Sequence, residues 1–200
     1  MARPKEFERD AALETAKAMF WRQGYEATST EDLRLAMGIG RQSFYDTFGG
    51  KRPIYLEVLR RYNADGVRAC VEQARSARSP LAALQDLLLS CSKEKPQRRA
   101  LGCMGVSAIC EFGKNDPEVT RIGTSSSARL EAVLKGLLRE AKAKGEVRLS
   151  LNERAAARHL QATILGMKVM CKAGASPATL RDVAVTALEG MAPPRTRERT

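Results

Sequence analysis

Apolar side chains recur at intervals of three and four residues along most of this chain. Leu13, Ala16 and Phe20 share one helical face, and Gly24 follows as a C-terminal stop. Leu81, Leu84, Leu87 and Leu88 form a second stripe, opened by Ser79-Pro80 as N-cap and first-turn proline. A third stripe, Leu130, Val133, Leu134, Leu137, Leu138 and Ala141, predicts a helix from Asp116-Pro117-Glu118 to near Gly145. The last, Leu180, Val183, Ala184, Ala187, Leu188 and Met191, is opened by Ser176-Pro177. Glu146-Val147-Arg148-Leu149 is too short an alternation to indicate a sheet. The pattern predicts an all-α fold, with a small N-terminal unit ending around Gly49-Gly50 and a larger helical body beyond it.

Residues 24–51, GYEATSTEDLRLAMGIGRQSFYDTFGGK, are the most informative stretch. Ser29 is placed to cap a short helix, with Asp32 as its partner three residues on. Leu33 and Met37 face inward. Gly38-Ile39-Gly40 breaks the helix, glycine permitting the tight turn and Ile39 filling the angle between helices. A second short helix starts at Arg41 and turns Phe44 and Phe48 inward, leaving Arg41, Gln42, Ser43 and Tyr45 outward. Two short helices around a glycine turn make a helix-turn-helix. The polar, cationic start of its second helix is the end that meets base edges in a major groove. Arg41 suits a guanine edge or a phosphate, and Gln42 suits adenine N6/N7. Ser43, Tyr45 and Thr47 offer hydroxyls to phosphates, as do Lys51 with its charge and Ser29 at its helix N-terminus.

The net charge of +11 favours a polyanionic partner but does not locate it. Residues 1–62 carry 11 Lys/Arg against 9 Asp/Glu, a balance of only +2. The 44% hydrophobic and 28% charged composition is that of a globular domain. No apolar run reaches the roughly 20 residues of a membrane helix, and Met1-Ala2-Arg3-Pro4-Lys5-Glu6 has no signal-peptide core. A cytoplasmic location without membrane association is expected. The five cysteines form no Cys-x-x-Cys pair and are expected as thiols. One histidine, no Gly-x-Ser-x-Gly, no phosphate-cradling loop and no carboxylate dyad leave nothing to assign to catalysis, to a cofactor or to a resident metal. Met167, Met170 and Cys171, with Cys103 and His159, are ligand types suited to Cu(I), but their spacing fits no metal motif.

The helix-turn-helix segment resembles the DNA-binding domain of the TetR family of regulators. Helix 1 matches through Ala16, Phe20, Gly24 and Tyr25. The rest matches through Thr28-Ser29, Asp32-Leu33, Gly38-Ile39, Tyr45, Phe48 and Lys51. It departs at Arg34 and Met37, where alanine is common, at Gly40, and at Thr47. The resemblance implies a three-helix DNA-binding domain over residues 1–50 and an effector-binding and dimerisation domain over 51–191; Pro193-Pro194 followed by Arg195, Arg197 and Arg199 makes residues 192–200 a disordered basic tail by expectation. It further implies a homodimer on double-stranded palindromic operator DNA, acting more often as a repressor than as an activator. A small molecule or thiol modification would release it, the helix from Lys51 to about Ala77 serving as lever. Dimerisation is expected through segments 152–173 and 177–191, the second favoured because it presents the clean apolar stripe; packing within one subunit is the alternative.

Gly102-Cys103-Met104-Gly105, followed by Ala108, Ile109, Cys110, Glu111 and Phe112, resembles a Gly-Cys stretch that opens a helix in one branch of the family. In some relatives a cysteine there senses oxidants or electrophiles. Cys103, Met104, Cys110 and His159 are therefore the candidates for effector or redox sensing, against the plainer reading that the cysteines fill a core and His159 is a hydrogen-bonded interior or interface residue. Two other functions compete: a helical interaction module, and a nonspecific DNA-binding protein without effector control.

Overall fold

The computed structural model describes residues 8–193. The expected basic tail lies outside the described residues except for Ala192 and Pro193. Among the described residues there are ten helices and no strand: α1 (Arg9–Gln23), α2 (Thr30–Met37), α3 (Arg41–Phe48), α4 (Lys51–Ser76), α5 (Pro80–Lys93), α6 (Pro96–Ala100), α7 (Met104–Phe112), α8 (Pro117–Ala143), α9 (Glu153–Lys172) and α10 (Pro177–Glu189). None is long and apolar enough to cross a membrane.

Local chemistry sets the helix ends. Ser29, Ser79, Asn152 and Ser176 each accept a backbone N–H of the first turn, and proline follows at the start of α5 and α10. Gly24 closes α1 at φ 85°, a backbone that a side chain strains to adopt.

The chain forms two compact units. One takes residues up to Asp65 together with Cys103–Thr124; the other takes Gly66–Gly102 and everything from Ser125 on. This compactness does not follow the functional division expected at residue 50. α4 runs unbroken from Lys51, and α7 packs with α1. The core of the first unit is built from Leu13, Ala16 and Phe20 of α1, Leu33, Phe44, Phe48, Ile54, Leu59, Met104 and Ala108, all buried. Phe20, Tyr25, Tyr55 and Phe112 stack and tilt against one another with ring centroids 4.8–6.3 Å apart.

In the second unit α5, α9 and α10 pack together, joined in the core by Leu134, Leu138 and Ala141 of α8. Leu180 and Ala184 are fully buried and Met191 nearly so, while Val183, Ala187 and Leu188 pack against the same core. Leu180, Ala184 and Met191 of the α10 stripe are thus covered within one protomer, while Val183, Ala187 and Leu188 keep part of their surface exposed. Exposed apolar positions remain in this unit at Leu149 and along α9. Ala162, Leu165, Gly166 and Val169 are exposed at helical spacing, Val169 by 51%; Val185 of α10 is also exposed.

Candidate nucleic-acid interface

The site begins with a helix cap. Ser29 Oγ accepts the Asp32 N–H at 3.0 Å, and Asp32 returns a carboxylate oxygen to the Ser29 N–H, also at 3.0 Å. The Ser29 hydroxyl donates to the same carboxylate at 2.6 Å, and these bonds hold the Asp32 carboxyl below its ordinary pKa. Phosphate contact by Ser29 therefore competes with the cap that organises α2. Leu33 fixes this helix to the core with no exposed surface.

The turn is tight because Gly38 adopts the left-handed conformation, φ 67° and ψ 31°. Ile39 is buried at its corner. Arg34, a departure from the family pattern, has a task here: its guanidinium donates to the Ile39 carbonyl at 3.2 Å and pairs with Glu31, tying both sides of the turn.

α3 is anchored from below. Phe44 is wholly buried and Phe48 nearly so, their rings 5.6 Å apart, with the Arg9 guanidinium 5.5 Å from the Phe48 ring. Arg9 in turn grips Glu57 with two bonds of 2.8 and 2.6 Å. Burial at 44 and 48 forces positions 41, 42 and 45 outward, and all three are exposed; Ser43 and Thr47 flank them, half-buried. Arg41 sits free in the first turn, making no side-chain hydrogen bond among the described residues. Gln42 Nε2 donates to Asp46 Oδ1 at 2.8 Å, so its amide is pre-oriented along the helix. Tyr45 stands edge-on to Phe44 at 5.6 Å. Lys51 is held rather than loose: its ammonium lies 4.1 Å from the centre of the Tyr25 ring and donates to the Glu26 carbonyl at 3.4 Å.

Two carboxylates from later in the chain hold this motif. Glu111 of α7 accepts the backbone N–H groups of Tyr25 and Glu26 at 3.0 and 2.7 Å. Asp116 accepts both Arg52 nitrogens, at 2.6 and 3.0 Å, while capping α8 through the N–H groups of Glu118 and Val119. The Arg52 guanidinium, then the Val119 N–H, hold the Asp116 carboxyl down to about 2. Sequence reasoning missed Arg34, Asp46, Glu111 and Asp116. Arg34 and Asp46 were visible as helical-spacing partners of Glu31 and Gln42; Asp116 was legible as the start of α8 but not as the partner of Arg52, and Glu111 carries no local signal, these partners being 64 to 86 residues away.

The candidate sensing residues are not gathered together. Cys103 is the half-buried N-cap of α7, Met104 is buried beside it, and Cys110 is exposed on the same helix. Two turns of helix, roughly 10 Å of rise, separate Cys103 from Cys110. His159 is exposed on α9, which leaves the interface half of the plainer reading and not the interior one. Of the soft-ligand set, Met167 and Cys171 are buried in the second unit. Among the described residues no three His, Cys, Asp or Glu side chains group as metal ligands.

A short recognition helix clamped onto a hydrophobic core, its basic and amide side chains turned outward, defines a helix-turn-helix nucleic-acid-binding protein. Residues 12–58 match the model of the bacterial regulatory proteins of the tetR family, and residues 77–187 match that of the tetracyclin repressor-like C-terminal domain. The chain belongs to the TetR family. It is 34% identical over 185 residues to the uncharacterized HTH-type transcriptional regulator YezE of Bacillus subtilis, covering 91% of this chain and 95% of that protein. It is 32% identical over 193 residues to the HTH-type transcriptional repressor ComR of Escherichia coli, covering 93% and 90%. Among solved structures, a cysteine mutant of the TetR family regulator CifR complexed with 26bp double-strand operator DNA superposes with a TM-score of 0.78 at 26% identity, over 95% of this chain and all of that one.

Proposed function

We propose that this protein is a sequence-specific transcriptional regulator, a repressor that binds a palindromic operator as a homodimer and leaves it when an effector or a thiol modification changes the dimer. The observation that carries this reading is α3: Arg41, Gln42 and Tyr45 exposed on a helix whose other face, Phe44 and Phe48, is locked in the core. Arg41 and Gln42 read base edges, whereas Ser43, Tyr45, Thr47, Lys51 and the N-terminus of α2 at Ser29 engage phosphates. The CifR complex with operator DNA supports the docking. Residues 1–50 serve as DNA-binding domain and 51–191 as effector and dimerisation domain.

The dimer forms through α9. Its exposed Ala162, Leu165, Gly166 and Val169 combine small residues for close approach with apolar ones for burial. Two such protomers present two recognition helices to successive major grooves, about 34 Å apart. Any ligand or modification that binds one spacing better than another shifts operator occupancy by that difference alone.

Selection of binding sites from random duplex DNA, with reduced and peroxide-treated protein in parallel, tests the reading. An enriched inverted repeat is expected from the reduced protein. No enrichment in either state would overturn operator recognition; equal enrichment in both would remove thiol control and leave a small-molecule effector.

A further inference from the structure

α3 carries a carboxylate among the side chains it turns outward. Its sequence RQSFYDTF holds one cation, Arg41, and one acid, Asp46, so the helix has no net charge of its own. Asp46 is exposed, as are Arg41, Gln42 and Tyr45. For holding phosphates such a group is a cost, because it repels them on any duplex whatever the sequence. What Asp46 does hold is Gln42: its Oδ1 accepts the Gln42 Nε2 at 2.8 Å. Four residues apart, the two side chains lie on one face of the helix, about 6 Å from each other along its axis.

We infer that Asp46 is a positioning residue for base readout, fixing the Gln42 amide in the orientation that takes adenine and rejects guanine. This rests on the operator-binding reading above and narrows what that site selects.

The selection follows from counting donors and acceptors. A glutamine amide offers one acceptor oxygen and two N–H donors, and rotation about its last bond exchanges their places. An ionised carboxylate only accepts. Asp46 therefore keeps the nitrogen of Gln42 toward itself and occupies one of the two N–H groups. One acceptor, Oε1, and one donor, the second N–H, remain for DNA.

In the major groove adenine presents N7 as acceptor and the N6 amino group as donor, so the remaining pair matches it bond for bond. Guanine presents two acceptors, N7 and O6. An unrestrained glutamine can meet these with both of its N–H groups. One restrained by Asp46 has a single donor left and sets its own oxygen against a guanine acceptor, leaving polar groups unpaired in a desolvated contact. The carboxylate thus lowers affinity for every duplex and raises the contrast between two purines. A group that served only the stability of α3 would do neither.

The test is binding-site selection from random duplex DNA with the full chain as wild type, Gln42→Ala, Asp46→Ala and Asp46→Asn. Affinities are then measured at one salt concentration for the selected operator, for its adenine-to-guanine variants and for random duplex. Both positions are exposed, and circular dichroism checks that each variant keeps its helices. Gln42→Ala is expected to relax an adenine preference at one base pair of each half-site. At that same pair Asp46→Ala should lower the preference for adenine over guanine on the order of tenfold, within the range that a bidentate base contact supplies, while binding random duplex more tightly than wild type. Asp46→Asn keeps an oxygen for the Gln42 N–H without the charge, so it should tighten random-duplex binding and retain the purine preference. An unchanged preference in Asp46→Ala overturns the inference, as does a change confined to a base pair that Gln42→Ala leaves alone, or a Gln42→Ala variant that relaxes no adenine preference. A wild-type protein that enriches no repeat overturns operator recognition itself, and this inference with it; an enriched repeat with the purine preference unmoved by Asp46→Ala overturns this inference alone.

Discussion

Asp116 makes a direct test of how the first unit is held, because one carboxylate does two jobs that two substitutions separate. Its Oδ2 and Oδ1 accept Arg52 Nη1 and Nη2 at 2.6 and 3.0 Å, and Oδ1 also accepts the N–H groups that start α8. Asparagine keeps an oxygen for the cap, a position where Asn and Asp are equivalent, but turns an amide toward the guanidinium. Alanine removes both functions. The Asp116 side chain is 10% exposed and that of Arg52 39%, so solvent screens the pair and its loss costs about 1 kcal/mol. Losing the cap adds about 1 kcal/mol. Asp116→Asn should therefore destabilise by about 1 kcal/mol and Asp116→Ala by about 2 kcal/mol, read from urea denaturation followed by far-ultraviolet circular dichroism.

The pH dependence gives the sharper criterion. The folded-state pKa of Asp116, held to about 2 by Arg52 and the Val119 N–H, lies below its unfolded value. A depressed carboxylate stabilises the fold fully above the unfolded pKa, near 3.9, and loses that contribution as pH falls toward the folded value. The gap between wild type and Asp116→Asn should be whole at pH 7 and should shrink at pH 3. Other carboxylates titrate alike in both proteins and cancel in the comparison. A gap as wide at pH 3 as at pH 7, or an asparagine variant as unstable as the alanine one, would refute the assignment.

Other substitutions probe the remaining supports. Phe44→Ala, at a wholly buried position, should cost about 3–5 kcal/mol and lower the melting midpoint enough to abolish DNA binding at 37 °C. Ser29→Ala should cost about 1 kcal/mol, and Ser29→Asp should recover most of it as an alternative N-cap, both measured by thermal melting. Arg41→Ala should weaken binding to the selected operator by about 1–3 kcal/mol and relax base preference, whereas Lys51→Ala should weaken all sequences alike and flatten the salt dependence by about one ion; titrations across salt concentrations separate the two. Val169→Asp places a charge on the exposed α9 face and should yield folded monomer in sedimentation velocity; an unchanged dimer would remove α9 from the interface.

What could be read in the sequence was mostly what is local. The Ser29–Asp32 cap, the Gly38 turn, the proline starts of α5 and α10 and the inward phenylalanines of α3 depend on neighbours within four residues, and they stand as read. The α10 stripe shows the limit. Periodicity at Leu180 and Ala184 reports that a face is covered without reporting by what, and the cover is α5 and α9 of the same chain. The cysteines show a second limit. Grouping Cys171 with Cys103 and His159 by ligand type ignored that packing, and not residue type, selects neighbours; Cys171 shares a core cluster with Cys91, 80 positions earlier, because α5 packs on α9.

The same distinction separates the parts of the recognition surface. Arg41 and Gln42 are exposed, so little in the fold constrains which residues stand there. Arg34, Glu111 and Asp116 instead hold the backbone around α3: Arg34 through the turn carbonyl, Glu111 through the backbone of Tyr25 and Glu26, and Asp116 through the second residue of α4. Both Glu111 and Asp116 lie at the C-terminal end of α7 or just past it, and Cys103 is the N-cap of that helix. A change that displaced α7 would pull on the loop before α2 and on the start of α4 together. Removing either carboxylate should therefore leave the core face of α3 intact while loosening how the helix-turn-helix is held.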